Sequence, residues 1–252
     1  MDTINEAASA DAGDVLQLKA GTLLADLRLT RSGYGLVAGL EGGDQVTITN
    51  QFNGTASRIE SLRFDDGTAW DLAGTQVKLG GTGNDTLAGT AGNDVLFSDG
   101  GNDTLNAGAG DDVLSGGVGT DALNGGLGDD TYLFRRGEGQ DTIADTGGQD
   151  RLLLGANIAP DQVWLSHTGS DLVIDLVGGS DRVTIRNWYT DPANQIETLA
   201  TRDGWSLAHT QVDQLVAAMA AFAPPSGIAT ALPTDVAAAV APVIAANWQH
   251  AA

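Results

Sequence analysis

The chain has 252 residues, with 33 acidic against 12 basic side chains, a formal net charge of −21, 35 glycines and no cysteine. Such an acidic balance argues against nucleic acid, whose phosphates need a basic footprint, and against electrostatic attachment to anionic lipid. The lack of cysteine excludes disulfides and thiol catalysis, and no apolar run reaches the ~20 residues of a membrane span.

In chain order, the N-terminus Met1-Asp2-Thr3-Ile4-Asn5-Glu6 has no basic n-region and no apolar core, so no cleaved signal peptide is expected there. Short alternating runs then follow between Gly and Asp turns. Leu27-Arg28-Leu29-Thr30, Gly35 to Leu40 and Gln45 to Thr49 all read as strands. Asp65 and Asp66 sit in turn contexts. Residues 1–79 are thus expected to form a β-rich module.

From Gly80 to Leu133 one nine-residue phrase repeats six times without a gap: GGTGNDTLA, GTAGNDVLF, SDGGNDTLN, AGAGDDVLS, GGVGTDALN and GGLGDDTYL. The fourth position is always glycine (Gly83, Gly92, Gly101, Gly110, Gly119, Gly128) and the sixth always aspartate (Asp85, Asp94, Asp103, Asp112, Asp121, Asp130). The eighth is Leu87, Leu96, Leu105, Leu114, Leu123 and then Tyr132. A fixed period decides architecture before local propensity does. In each phrase the glycines permit a tight turn, and a three-residue half such as Val113-Leu114-Ser115 reads as a very short strand with position 8 pointing inward.

These phrases resemble the Gly-Gly-x-Gly-x-Asp-x-aliphatic-x nonapeptide of the RTX (repeats-in-toxin) family, a motif already known as a calcium-binding β-helix repeat. The resemblance implies an all-β fold, a flattened parallel β-roll in which two phrases make one coil. Alternate phrases then lie above one another, with Asp85, Asp103 and Asp121 in one column and Asp94, Asp112 and Asp130 in the other. Carboxylates stacked at about 4.8 Å repel. A calcium ion removes that repulsion, because it takes 6–8 oxygens and tolerates irregular geometry, whereas magnesium demands a tight octahedron. Zinc would want His or Cys, and the repeats contain neither.

The expected ligands are these six aspartates and backbone carbonyls of the glycine half, assigned to Gly81, Gly83, Gly92, Gly101, Gly108, Gly110, Gly117, Gly119, Gly126 and Gly128. Four internal pairs, 85/103, 94/112, 103/121 and 112/130, imply about four calcium ions. The fifth-position residues Asn84, Asn93, Asn102, Asp111, Thr120 and Asp129 are expected to satisfy turn backbone groups instead. After two extra residues a degenerate seventh phrase runs to Ile143, and its Asp141 is a candidate for an ion at the lower edge.

Residues 144–208 copy the first module. Gly13 to Gly43 aligns with Gln149 to Gly179 at an offset of 136, and Val46 to Gly67 with Val183 to Gly204 at 137. About twenty positions are identical over some fifty-three, among them Asn50 with Asn187 and Ile59-Glu60 with Ile196-Glu197. Because a roll has two open ends whose backbone groups must be covered, both copies are expected to act as caps, one before and one after it. Trp70, Trp164, Trp188 and Trp205 in these modules are expected to be core aromatics, and Asp203 to serve a turn.

Residues 209–252 read as a helical tail. Val212, Leu215, Val216 and Met219 fall at helical spacing over His209 to Phe222, Pro224-Pro225 ends that helix, and an Ala-rich segment interrupted by Pro242 follows. The RTX resemblance implies extracellular localisation, with type I secretion through an exporter that reads an uncleaved C-terminal signal, a role this tail is compatible with. It also implies that the chain is part of a larger polypeptide whose activity lies upstream. His167, His209 and His250 are scattered, and no HExxH, GxSxG or phosphate-binding loop is present, so the chain is not expected to be an enzyme. The alternatives are an adhesin module binding glycan or ice, or an accessory domain of an upstream enzyme or toxin.

Overall fold

The computed structural model describes residues 2–4, 15–18, 23–32, 35–40, 45–48, 61–64, 69–71, 75–224 and 231–250. Asn50, Ile59, Glu60, Asp65, Asp66 and Pro225, named above, lie outside them. The first module contributes β1 (Asp2–Ile4), β2 (Val15–Gln17), β3 (Leu27–Ser32), β4 (Gly35–Leu40), β5 (Gln45–Ile48), β6 (Ser61–Arg63), β7 (Ala69–Asp71) and β8 (Gln76–Leu79). The repeats form β9 (Thr86–Ala88), β10 (Asp94–Phe97), β11 (Gly100–Gly101), β12 (Thr104–Ala109), β13 (Val113–Ser115), β14 (Val118–Gly119), β15 (Ala122–Leu127) and β16 (Thr131–Phe134). Beyond them come β17 (Gln140–Ala144), β18 (Arg151–Leu154), β19 (Val163–Thr168), β20 (Asp171–Leu176), β21 (Arg182–Ile185), β22 (Thr198–Thr201) and β23 (Trp205–Ala208). Helices α1 (His209–Met219) and α2 (Thr234–Asn247) and a final strand β24 (Gln249–His250) complete the chain.

The repeats coil into a parallel roll with two walls. One runs β8-β10-β13-β16-β18-β22 and the other β9-β12-β15-β17-β21. Leu87 pairs with Leu105 and Leu105 with Leu123, eighteen residues on each time. Leu96 pairs with Leu114 and Leu114 with Tyr132 in the same way. These position-8 side chains fill the interior, where Leu96, Leu105, Leu114, Leu123 and Tyr132 are each at most 3% exposed.

The roll runs past the six phrases. β15 pairs with β17 through Ala122↔Thr142, and β16 with β18 through Thr131↔Arg151, so the register lengthens from eighteen to twenty residues. The second module then joins both walls directly, β21 pairing with β17 and β22 with β18. It closes this end with the antiparallel strands β20, β19 and β23. Trp164 and Trp188 are buried in its core, and Trp205 packs beside it.

The first module takes a different place. Apart from β8, which starts one wall of the roll by pairing with β10, its described strands lie against the flank of the roll and not across its first turn. Leu27, Leu29, Leu36, Ile48 and Leu62 form one core with Val95, Phe97, Val113, Leu133 and Leu153, the outward side chains of the β8-containing wall. Trp70 sits edge-on to Phe64 and Phe97 there. Among the described residues, β8 and β9 remain the outermost strands at the first turn. The physical reason is composition. Positions 7 and 9 of the even phrases supply Val95, Phe97, Val113 and Leu133, with only Ser115 and Thr131 polar among them, whereas Thr86, Ala88, Thr104, Asn106 and Ala122 on the opposite wall are exposed. Buried Arg135 ties the parts together, donating to the Ala25 carbonyl at 2.9 Å, to the Leu27 carbonyl, and to Glu138 at 2.9 Å. Arg202 of the second module pairs with Asp26 of the first.

The tail packs on the second module. α1 presents Val212, Leu215, Val216 and Met219, and the Leu165 N–H lies 3.1 Å from the Met219 sulfur. α2 continues through Pro242. Pro242 and Ala238 both face outward, so the carbonyl freed by the proline has access to solvent, while Val240 and Ile244 face the core. No helix among the described residues is long and apolar enough to cross a membrane.

Candidate metal centre

The aspartates stand in the two columns that the RTX resemblance implies, each bonded to its neighbour one coil away. Oδ1 of Asp103 accepts from the Asp85 N–H at 2.7 Å, and Oδ1 of Asp121 from the Asp103 N–H at 2.8 Å. Oδ1 of Asp112 accepts from the Asp94 N–H at 2.6 Å, and Oδ1 of Asp130 from the Asp112 N–H at 2.8 Å. One oxygen of each carboxylate therefore serves the fold.

The other oxygen is left over. Asp94 Oδ1 and the Oδ2 atoms of Asp103, Asp112, Asp121, Asp130 and Asp150 are buried without a hydrogen-bond partner. Buried polar atoms are normally satisfied, and an unpaired buried carboxylate oxygen is costly. Six such atoms in two rows match a hard cation shared between coils, and the donor set is all oxygen. Burial, followed by repulsion from neighbouring carboxylates, pushes Asp112 and Asp121 up to about 6 against the opposing pull of their backbone hydrogen bonds. Asp130 and Asp141 rise to about 8 for the same reasons.

Asp141 joins the first column, its Oδ1 accepting from the Asp121 N–H at 3.0 Å. The other column continues through two residues that the repeat count misses. Oδ1 of Asp150 accepts from the Asp130 N–H at 2.9 Å, and Oε2 of Glu197 accepts from the Asp150 N–H at 2.7 Å. Burial raises Asp150 to about 7. Asp130, Asp145 and Asp150 bring one carboxylate oxygen each within 4.8 Å of one another, a group able to hold a metal ion. The Tyr132 hydroxyl, itself bonded to the Gly125 N–H, donates to Asp145 Oδ2. The sequence signal for this eighth phrase is Gly148-Gln149-Asp150-Arg151-Leu152, which has the Gly-x-Asp-x-Leu pattern two residues out of step.

The glycines divide by turn. Gly81, Gly83 and Gly92 lie exposed on the first coil, and a side chain at Gly81 or Gly83 would meet nothing. Deeper in the roll, Gly108 has φ +120° and a Cβ there would lie 2.2 Å from the Thr90 carbonyl oxygen. Gly101, Gly110, Gly117, Gly126 and Gly128 share positive φ, while Gly119 is held by close approach to the Gly101 carbonyl. Two expected carbonyl ligands are engaged by the backbone: Gly81 accepts from the Gly100 N–H at 3.0 Å and Gly126 from the Thr146 N–H at 3.3 Å. The fifth-position side chains form an outer ladder, in which Asn84, Asn93, Asn102, Asp111 and Asp129 each accept from a backbone N–H of the next coil.

Residues 79–114 and 97–132 match the RTX calcium-binding nonapeptide repeat (4 copies), and residues 38–73 and 171–211 match the haemolysin-type calcium binding protein related domain. Each of the two matches to the second family overlaps the later part of one copy of the duplicated module. Among solved structures the chain is similar to the extracellular lipase LipA from Serratia marcescens, with a TM-score of 0.38 and 21% identity. That alignment covers 69% of this chain and 30% of the lipase.

Proposed function

We propose that this chain, which carries RTX calcium-binding nonapeptide repeats between two haemolysin-type calcium binding related domains, is a calcium-triggered folding module of a secreted polypeptide. The observation that carries the reading is the set of six buried carboxylate oxygens without partners. Calcium between coils would supply the missing partner and cancel the stacked charge. The pairs 85/103, 94/112, 103/121 and 112/130 would hold about four ions, with 121/141 and 130/150 as further sites at the lower edge.

Without the ion, the roll offers an interior one side chain wide and a glycine-rich backbone with much conformational entropy to lose. Metal binding is then folding free energy. For extracellular modules with dissociation constants of roughly 10⁻⁴–10⁻³ M, cytosolic calcium leaves the sites empty and the chain unfolded, fit to thread a type I exporter. Outside the cell, each site filled at ten times its dissociation constant adds about 1.4 kcal/mol. The α1–α2 tail would carry the export signal, and the module would act by binding and folding, with catalysis left to other parts of a longer protein.

Far-UV circular dichroism during a calcium titration from chelator to 10 mM, with magnesium as control, tests this. A steep rise of β signal with calcium alone is expected. A β-rich spectrum indifferent to calcium would remove the physical basis of the export argument.

A further inference from the structure

The internal duplication extends to strand pairing. β3, β4 and β5 correspond residue for residue to β19, β20 and β21, and β2 and β6 correspond to β18 and β22. In the second copy, β17 enters parallel beside β21 with Asp141↔Val183, Thr142↔Thr184 and Ile143↔Ile185. In the first, β1 enters parallel beside β5 with Asp2↔Val46, Thr3↔Thr47 and Ile4↔Ile48. Val46 is the counterpart of Val183, so Asp2-Thr3-Ile4 occupies the register of Asp141-Thr142-Ile143 with the same three residues. Likewise β2 pairs with β6 through Leu16↔Leu62, and β18 with β22 through the matching Leu152↔Leu199.

The copies differ in what lies beyond those strands. In the second, the far edges of β17 and β18 are taken by β15 and β16, the last full coil of the roll. In the first, β1 and β2 are the outer strands of their sheets, and among the described residues nothing pairs with their far edges. This chain's own roll cannot fill the place, because β15 and β16 already carry β17 and β18. The roll meets the first module elsewhere, through β8 and β10 against β3. In the second module the corresponding strand β19 is covered by α1.

We infer that β1 and β2 form a docking edge for the last coil of a second calcium-binding roll, entering ahead of Asp2 in a longer polypeptide. Strand edges are templates for pairing, and solenoid ends require covering. Two edges set for the two walls of one roll fit that occupant and no single β-strand. By register, Asp2 stands where Asp141 stands, at the sixth position of a phrase. The residues described here would then be one unit of an array in which rolls and modules alternate.

The inference rests on the calcium reading for the state of the incoming roll, and its test separates the two. Residues 80–140 are grafted directly ahead of Asp2 in the full chain, so that Gln140 precedes Asp2 as it precedes Asp141. Bound calcium is counted, and amide hydrogen exchange is followed at residues 2–4 and 15–17 in millimolar calcium. The expected result is roughly a doubling of bound calcium and exchange slowed about tenfold or more at both strands. The native repeats in the same molecule are the internal standard. Native repeats filled while the grafted ones stay empty, or exchange at β1 and β2 unchanged, would overturn the docking edge. Neither set binding calcium would overturn the calcium reading and this inference with it.

Discussion

Asp130 holds two coils together with one oxygen and leaves the other unused: Oδ1 accepts from the Asp112 N–H at 2.8 Å, while Oδ2 is buried without a partner. The same division recurs along both columns. The backbone bond fixes where the carboxylate points, so the free oxygen is preorganised for a ligand. An interior aspartate is thus shared between two coil pairs, whereas Asp85, at the open first coil, belongs to one.

That sharing predicts unequal mutations. Asp103→Ala and Asp112→Ala should each disable two calcium pairs and raise the calcium midpoint of folding several-fold. Asp85→Ala should shift it less. At ten times the dissociation constant each lost site is worth about 1.4 kcal/mol. Calcium titrations of the three variants by circular dichroism check this, and equal midpoints would count against shared sites.

Protons should compete with calcium. Burial raises Asp112 and Asp121 to about 6, Asp150 to about 7, and Asp130 and Asp141 to about 8. A carboxyl whose folded value exceeds its unfolded value, roughly 3.9, stabilises the fold fully below the unfolded value and loses that contribution as pH rises through the folded one. Metal-free roll should therefore gain β signal on acidification from pH 8 to pH 5. Over the same range the calcium midpoint should rise as pH falls. A midpoint independent of pH would show that the ions do not displace these protons.

The lower edge should hold an ion of its own. Asp150→Asn neutralises one member of the Asp130, Asp145 and Asp150 group while keeping its size. Bound calcium, measured by atomic absorption after gel filtration, should fall by about one ion, with the upper sites retained. Tyr132→Phe removes the hydroxyl that donates to Asp145 and should weaken the same site without abolishing it.

Arg135 should govern docking of the first module. It and Glu138 are both buried, so Arg135→Ala strands a buried carboxylate and frees the Ala25 and Leu27 carbonyls. Loss of one partner of such a pair costs roughly 3–5 kcal/mol. Thermal unfolding in millimolar calcium should show this, with exchange protection lost first in β3. The double variant Arg135→Met with Glu138→Gln should recover part of the loss, because no buried charge remains unpaired.

The roll was legible because its information is local and periodic. Gly at position 4, Asp at position 6 and Leu or Tyr at position 8 state a turn, a stacked carboxylate and a core contact, and six copies in register leave little freedom. Asp141 was within reach of that reading, but Asp150 was not. The two extra residues Phe134 and Arg135 break the eighteen-residue spacing, and only strand pairing shows that the columns absorb them. Glu197 carries no periodic signal at all. It reaches the column because β22 lies beside β18.

Sequence by itself determined the nine-residue period, the places of glycine and aspartate within it and the duplication of the flanking modules, since each is written as a spacing between residues, and the RTX resemblance added the parallel coil and its aspartate columns. Only the tertiary structure decided where the modules sit. The second copy continues both walls of the roll, while the first lies along its flank on Val95, Phe97, Val113 and Leu133. Two copies that share about twenty of some fifty-three positions find different partners, because that choice depends on which apolar face is available after the chain has coiled.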